Sequence, residues 1–232
     1  MAVRIAMLWF LISVTASMAM YPGSTRLDPT SVGYSFTENA FSDLGRTFTR
    51  SGADNRISAA LFISALVPIA LTLVVFFIKL VPLVSPPGWR GWVGRLGCLA
   101  GIVAGLGYIG VALTPANVLP REHVMFVNVA FRSFLAASVL LALATGGIPA
   151  FRARATAVWW SFGVLLLAFI LIGIFGPRRN TQAGLVIQTV AQKIIVLSGL
   201  TIVAFQTFEV ERARQRLQQE RRANQPAALQ AV

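Results

Sequence analysis

The segment that decides the fold is residues 57 to 80, which read ISAALFISALVPIALTLVVFFIKL and carry one charged side chain, Lys79. Crossing a hydrocarbon core of about 30 Å takes roughly 20 helical residues at about 1.5 Å each. Five other stretches have a similar length and character, at residues 4–21, 93–113, 124–145, 157–176 and 183–207. The sequence therefore predicts an all-α fold, a polytopic bundle of six transmembrane helices that forms one membrane domain over residues 1–207.

The composition of the whole chain supports this prediction. Of the 232 residues, 56% are hydrophobic and 12% are charged, and the mean hydropathy is +0.72. Such a chain is too apolar for a soluble protein surface. The net charge is +12, but the basic residues are scattered between apolar stretches, so we expect no nucleic-acid partner. Cys98 is the only cysteine, which excludes an intramolecular disulfide and a cysteine-based metal cluster.

The basic residues also predict the orientation of the bundle. With the N-terminus inside, eleven Lys and Arg residues fall on the cytoplasmic side and seven on the other, as the positive-inside rule requires. Five of the eleven are arginines that follow residue 207. We predict a multi-pass protein of the cell membrane with cytoplasmic N- and C-termini. Residues 208–232 are predicted to form a basic cytoplasmic tail, helical because it is rich in helix formers and frayed from Pro226 onward.

The first span admits a second interpretation. Arg4 precedes an apolar run that ends in Ser17, Met18 and Ala19, and this pattern also fits a cleavable signal peptide. Removal of residues 1–19 would leave five spans without inverting the others.

One connector is much longer than the rest, at residues 22–56 between the first and second spans, and we predict that it lies on the outer side. Loops of this length are uncommon unless they are functional or disordered. Its several Phe and Tyr side chains provide apolar groups to bury, so we expect a partly folded loop that covers the mouth of the bundle. Thr37 and Ser42 are candidate N-caps of a short helix within it, and Gly45 is a candidate end.

Two stretches of the chain resemble a known family, the domain-of-unknown-function family 998. The first stretch comprises Tyr34–Gly45, Asn55 and Ser58–Phe62, and the second comprises Gly110–Pro115, His123 and Phe126. The resemblance implies a multi-span, mostly six-helix prokaryotic membrane protein, and it implies no established activity. Members often carry an acidic residue soon after the proline of the second stretch, where this chain has Ala116 and Asn117.

Small residues and a proline predict how the helices pack. Gly97, Gly101 and Gly105 recur every four residues in the third span and form a ridge that a neighbouring backbone can approach closely. The neighbour is either another helix of the bundle or a second copy in a homo-oligomer. In the second span Pro68 cannot donate to the carbonyl of Ser64, so we expect a kink, with the hydroxyl groups of Ser64 and Thr72 on the same helix face helping to satisfy that carbonyl.

Charged side chains within the spans are the most unusual feature. Arg132 lies about two turns into the fourth span and Lys193 about three turns into the sixth. Intramembrane ions are costly and normally face the protein interior, a cavity or a partner. Asn128 shares a helix face with Arg132, and the polar residues around Lys193 fall within an arc of about 140°.

We predict an outward-facing polar cavity that the long connector covers. Asp43 or Glu38 of the connector would pair with Arg132 and Lys193, and His123 would lie at the rim. The candidate ligand-binding residues are Glu38, Asp43, His123, Asn128, Arg132, Gln188, Gln192 and Lys193. An alternative interpretation is that these ions tie the connector to the bundle and bind no ligand.

Three classes of function remain open from the sequence. The cavity could bind or transport a lipid or a small anionic amphiphile, with membrane lipids as partners, because Arg suits phosphate and carboxylate groups. An enzyme acting on lipid-linked substrates would use Glu38, Asp43 and His123, but the chain has a single histidine and no recognised catalytic motif. We therefore predict no metal and no cofactor. A scaffold would use the glycine ridge and the basic tail.

Overall fold

The computed structural model describes residues 2–223, and the side chains of residues 3–219. Its α-helices are α1 (Ala2–Ala19), α2 (Phe41–Leu44), α3 (Arg56–Leu80), α4 (Trp89–Leu113), α5 (Pro120–Thr145), α6 (Ala153–Phe175) and α7 (Gln182–Ala223), and a 3-10 turn (Val81–Leu83) follows α3. Within the described residues there is no β-strand, and the only extended pairing is two isolated bridges. The all-α prediction is confirmed for this part of the chain. The predicted frayed end, residues 224–232, lies outside the described residues.

Five of these helices, α3 to α7, are long and apolar enough to cross a membrane. The first helix is apolar but shorter, over Val3–Ala19. Each apolar stretch that was predicted to be a span overlaps one of these six helices. The chain is therefore a multi-span membrane protein.

The centre of the bundle is held by interlocking aromatic side chains. Phe77 of α3 is fully buried, and its ring centre lies 6.1 Å from that of Phe134 on α5 and 6.3 Å from that of Trp159 on α6. The Phe77–Phe134 contact is edge-to-face and the Phe77–Trp159 contact is tilted, and aromatic pairs at such distances are favourable beyond the area that they bury. These three residues join α3, α5 and α6 into one core.

The glycine ridge of α4 packs inside this bundle. A Cβ atom at Gly97 would press on Leu141 of α5, one at Gly101 would overlap the ring of Phe77, and one at Gly105 would overlap Val74 of α3. All three glycines are buried. The ridge thus serves the close approach of α3 and α5 in the same chain.

The carbonyl freed by Pro68 is satisfied from another helix. The indole N–H of Trp9 in α1 donates to the backbone oxygen of Ser64 over 2.8 Å. The hydroxyl groups of Ser64 and Thr72 instead bond to the carbonyls of Leu61 and Pro68. The prediction that these hydroxyl groups satisfy Ser64 is wrong, because each bonds to a carbonyl of its own helix turn.

The late part of α7 is tied to the ends of other helices. The buried carboxylate of Glu209 accepts hydrogen bonds from Arg154 of α6 and from Arg212, at 2.6 and 3.0 Å. The guanidinium of Arg4 in α1 lies 4.4 Å from the ring centre of Phe208. The start of α1 and the later part of α7 therefore lie at the same end of the bundle.

Candidate functional site

Lys193 of α7 lies in a cage of aromatic rings supplied by the long connector. Its side chain is 2% exposed, and Nζ donates to the backbone oxygen of Asn39 over 2.6 Å. The ring centres of Tyr34, Phe36 and Phe41 lie 5.4, 5.0 and 5.4 Å from Nζ. An ammonium group is attracted to the faces of such rings, and the attraction is strongest where water is excluded. The aromatic cage thus replaces a carboxylate as the partner of this buried charge.

Two glutamines of α7 make further contacts to the connector. Gln192 accepts a hydrogen bond from the backbone N–H of Phe41 at 3.0 Å. At the start of the helix, Gln182 donates to the carboxylate of Glu38 over 2.9 Å. The polar face of α7 therefore binds the connector from Glu38 to Phe41, and it is this face that the sequence singled out around Lys193.

Asp43 has partners that the sequence did not suggest. One carboxylate oxygen accepts from the backbone N–H of Ala40 at 2.9 Å, and the other lies 3.4 Å from the guanidinium of Arg50. The predicted pairing of Asp43 or Glu38 with Arg132 and Lys193 is wrong. The carboxylate of Asp43 instead bonds to Ala40 and Arg50, which both belong to the connector.

The predicted caps of the short connector helix are also corrected. The residue that precedes α2 is Ala40, and neither Thr37 nor Ser42 caps it. Gly45 does follow the last helical residue, as predicted. A Cβ atom at this position would lie 2.8 Å from the ring of Phe62 in α3. Glycine is thus needed at this position for the close packing of the connector on α3.

Arg132 and Asn128 lie away from the connector contacts, on the outer surface of α5. Both residues are exposed, and Asn128 donates to the carbonyl of Val124 in its own helix. The buried face of α5 carries Ala130 and Phe134, which lie about 200° around the helix from position 132. The structure therefore separates Arg132 from Lys193, which faces inward.

Gln188 and His123 have local structural partners. Gln188 accepts from Arg179 at 2.9 Å and donates to the carbonyl of Pro177 at 2.6 Å, which orders the connector between α6 and α7. His123 is buried, with Nδ1 2.6 Å from the backbone oxygen of Thr114 at the end of α4. The sequence analysis predicted His123 at the rim of the cavity. In the structure its hydrogen bond to Thr114 joins the start of α5 to the end of α4.

Four arginines that the sequence analysis used only to predict the orientation of the bundle interact with Asp43 or with one another. Burial lowers the pKa of Arg46, and the charge of Arg50 lowers it further, whereas Asp43 raises it. Burial likewise lowers the pKa of Arg179, with Asp43 opposing and the charges of Arg26 and Arg50 adding to the effect. Arg50 contacts the carboxylate of Asp43 at 3.4 Å, the charges of Arg46 and Arg179 interact with the same carboxylate, and the charge of Arg26 interacts with Arg179. We call Arg26, Arg46, Arg50 and Arg179 the arginine cluster.

A hydrophobic cavity lies inside the bundle below the connector. Its volume is about 100 Å³, within about 950 Å³ of atom-free space that includes its open mouth. Side chains from the six long helices line it, together with Phe41 and Ser42 of α2. Along α7 the lining runs from Gln192 to Val203, which is a length of about 16 Å.

This cavity is not the polar cavity that the sequence predicted. Nearly all of its lining is apolar, and the polar side chains are few, among them Ser42, Thr72 and Gln192. Lys193 does not line it, because the aromatic cage and Asn39 enclose its ammonium group. The polar residues of α7 dock the connector, and the interior that remains is hydrophobic.

The part of the chain that the structure describes holds no group of three His, Cys, Asp or Glu side chains that could bind a metal ion. Comparison of the chain with protein-family models, with curated proteins and with solved structures finds no significant match.

Proposed function

We propose that the protein binds an anionic amphiphile, with the apolar chain of the ligand in the hydrophobic cavity and its charged headgroup at the arginine cluster. The observation that carries the proposal is the position of α2, where Phe41 and Ser42 line the cavity and the next residue, Asp43, bonds to Arg50. The apolar and the cationic regions thus meet at one point. Ligand sites are typically apolar with a few placed polar groups.

The shape of the cavity favours an acyl chain over a compact ligand. The residues that line this volume of about 100 Å³ follow one another along α7 from Gln192 to Val203, over about 16 Å of helix. Lipid tails are as apolar as the lining, so moving a chain from bilayer to cavity gains little free energy. Selectivity therefore comes from the headgroup, and guanidinium groups bind carboxylate and phosphate through paired donors.

We propose that this ligand is bound in a six-span bundle with the connector outside the cell and both termini in the cytoplasm of the cell. The helix α1 has 18 residues, about 27 Å, and is just long enough to cross. Arg4 near its start contacts Phe208, and Ser17 near its end bonds to Ser58 at the start of α3. These contacts support a full crossing. Membership of family 998 stays a prediction.

Filling the cavity is expected to prevent ligand binding. Val196 lines the cavity, and its neighbour Leu197 is exposed on the outside of α7. We expect Val196→Trp to reduce the amount of co-purified lipid or added fatty acid at least fivefold, because the indole occupies the space of the chain. Native mass spectrometry would measure the bound ligand, with Leu197→Trp as the matched control. Equal ligand occupancy in the two variants would contradict the proposal.

Removing one cation of the arginine cluster is expected to weaken headgroup binding. A charge-assisted hydrogen bond is worth about 1.5–3 kcal/mol, so Arg179→Gln should raise the Kd for a fluorescent fatty acid about tenfold or more. Arg178 is exposed beside it, and Arg178→Gln serves as the control. Titrations at low and high salt should show the larger salt dependence for the unaltered protein. A Kd that is unchanged in Arg179→Gln would place the headgroup elsewhere.

A further inference from the structure

The outer surface of α5 carries a charge with no partner among the described residues. We propose that Arg132 is the contact point for a transmembrane helix of a different membrane protein, one that carries a carboxylate at the middle of the bilayer. This proposal does not depend on the bound amphiphile, since Arg132 is exposed on α5 and does not line the cavity.

Arg132 lies too deep to reach either membrane surface easily. It is near the midpoint of α5, a helix of 26 residues, with about 18 Å of helix on either side. The hydrophobic part of α5 begins at Val124, after the charged first turn with Arg121 and Glu122, so the Cα atom of Arg132 lies about 12 Å from the nearer edge of the core. An extended arginine side chain reaches about 7 Å, roughly half of that distance.

The environment of Arg132 in a single chain is lipid. Val124 and Met125 are exposed about two turns before it, and Asn128 is exposed one turn before it. An unpaired arginine deep inside a membrane span is costly. A carboxylate from a neighbouring helix removes most of this cost, and the amide of Asn128 adds a donor to the same face for an interhelical hydrogen bond.

The occupant of this face is not a second copy of the chain. The acidic residues are Asp28, Glu38, Asp43, Asp54, Glu122, Glu209, Glu211 and Glu220. All of them lie in connectors, in the first turn of α5 or late in α7, far from the middle of a span. Two copies of α5 that meet on this face would bring like charges together. Charge complementarity therefore requires a partner of different sequence.

The test uses the full-length chain, labelled with a fluorescent donor, in vesicles of neutral phosphatidylcholine. The probe is a leucine-rich transmembrane peptide that carries one central Glu and an acceptor dye, and the reference peptide has Gln in its place. Energy transfer should show at least tenfold tighter association for the Glu peptide. Arg132→Gln should abolish this preference, and Arg95→Gln, on an exposed position of α4, should keep it.

A charge reversal makes the test independent of any general effect of the substitution. Arg132→Glu should prefer a peptide with a central Lys over the Glu peptide. Equal association of the Glu and Gln peptides with the unaltered chain would overturn the proposal, as would a preference that survives Arg132→Gln. Binding of phosphatidylglycerol that depends on Arg132, with no discrimination between peptides, would assign the face to lipid and also overturn it.

Discussion

Lys193→Met is expected to lower the free energy of unfolding by about 3 kcal/mol and to release the connector from α7. Methionine preserves the volume of the side chain but removes the ammonium group. The carbonyl of Asn39 then loses the hydrogen bond that it accepts from Nζ, and an unsatisfied buried acceptor costs about 1–3 kcal/mol. The attraction to the rings of Tyr34, Phe36 and Phe41 is lost as well, worth up to about 2 kcal/mol at a dry site.

The measurement is denaturant unfolding in detergent micelles, combined with limited trypsin cleavage after Arg46 and Arg50. Lys79→Met is the matched control, because Lys79 is exposed at the end of α3 and should change stability by less than about 0.5 kcal/mol. In Lys193→Met the connector should be cleaved faster while the helices stay protected. If the two variants were equally stable, the aromatic cage would not hold the connector in place.

The same variant bears on the proposed ligand. Phe41 forms part of the aromatic cage and also lines the cavity. Release of the connector should therefore open the cavity and speed dissociation of a bound amphiphile. Faster dissociation of the ligand from Lys193→Met would show that the connector covers the site. An unchanged dissociation rate would show that the ligand leaves by another path.

Gly101→Ala is expected to destabilise the bundle by about 2 kcal/mol, although alanine is the better helix former. The added methyl group would overlap the ring of Phe77, which is itself packed between Phe134 and Trp159 and cannot move aside. Overpacking of a dense core typically costs about 1–3 kcal/mol. Gly173 in α6 has no atom within 4 Å of the same position, so Gly173→Ala should be neutral or slightly stabilising.

A second substitution tests whether the contact with Phe77 causes the loss of stability in Gly101→Ala. Phe77→Leu creates room beside position 101, so the double variant Gly101→Ala with Phe77→Leu should lose less stability than the sum of the two single changes. Denaturant unfolding of the four proteins gives the coupling free energy. Additive losses would mean that the contact between Gly101 and Phe77 does not determine how closely α3 and α4 approach.

The helices were predictable because the signals that define them are local. The second span was predicted at 57–80 and the helix runs over Arg56–Leu80, and the predicted end of the third span at residue 113 is the end of α4. Apolar length and helix rise are properties of consecutive residues, so they can be read without knowing any neighbour. It was predictable, for the same reason, that Lys193 and Gln192 have polar partners inside the protein, since polar groups inside an apolar span require a partner.

The partners themselves were not predictable from local patterns. The oxygen of Ser64 is satisfied by Trp9, 55 residues earlier, and Lys193 by Asn39, 154 residues earlier. The sequence placed Arg132 with Lys193 because both are cations within spans at similar depth. The rotation of α5 turns Ala130 and Phe134 inward and Arg132 outward, and that rotation depends on which side chains fill the core.

By itself, the sequence determined that this protein is a multi-span helical membrane protein with a polar face on its last span. The tertiary structure decided that this face binds the connector, that the cavity is hydrophobic, that arginines gather at Asp43 and that Arg132 points away. The physical reason is that transfer of a helix into a bilayer depends on the summed hydropathy of its own residues. The pairing of a buried charge depends on groups brought within about 3–5 Å by the packing of distant segments.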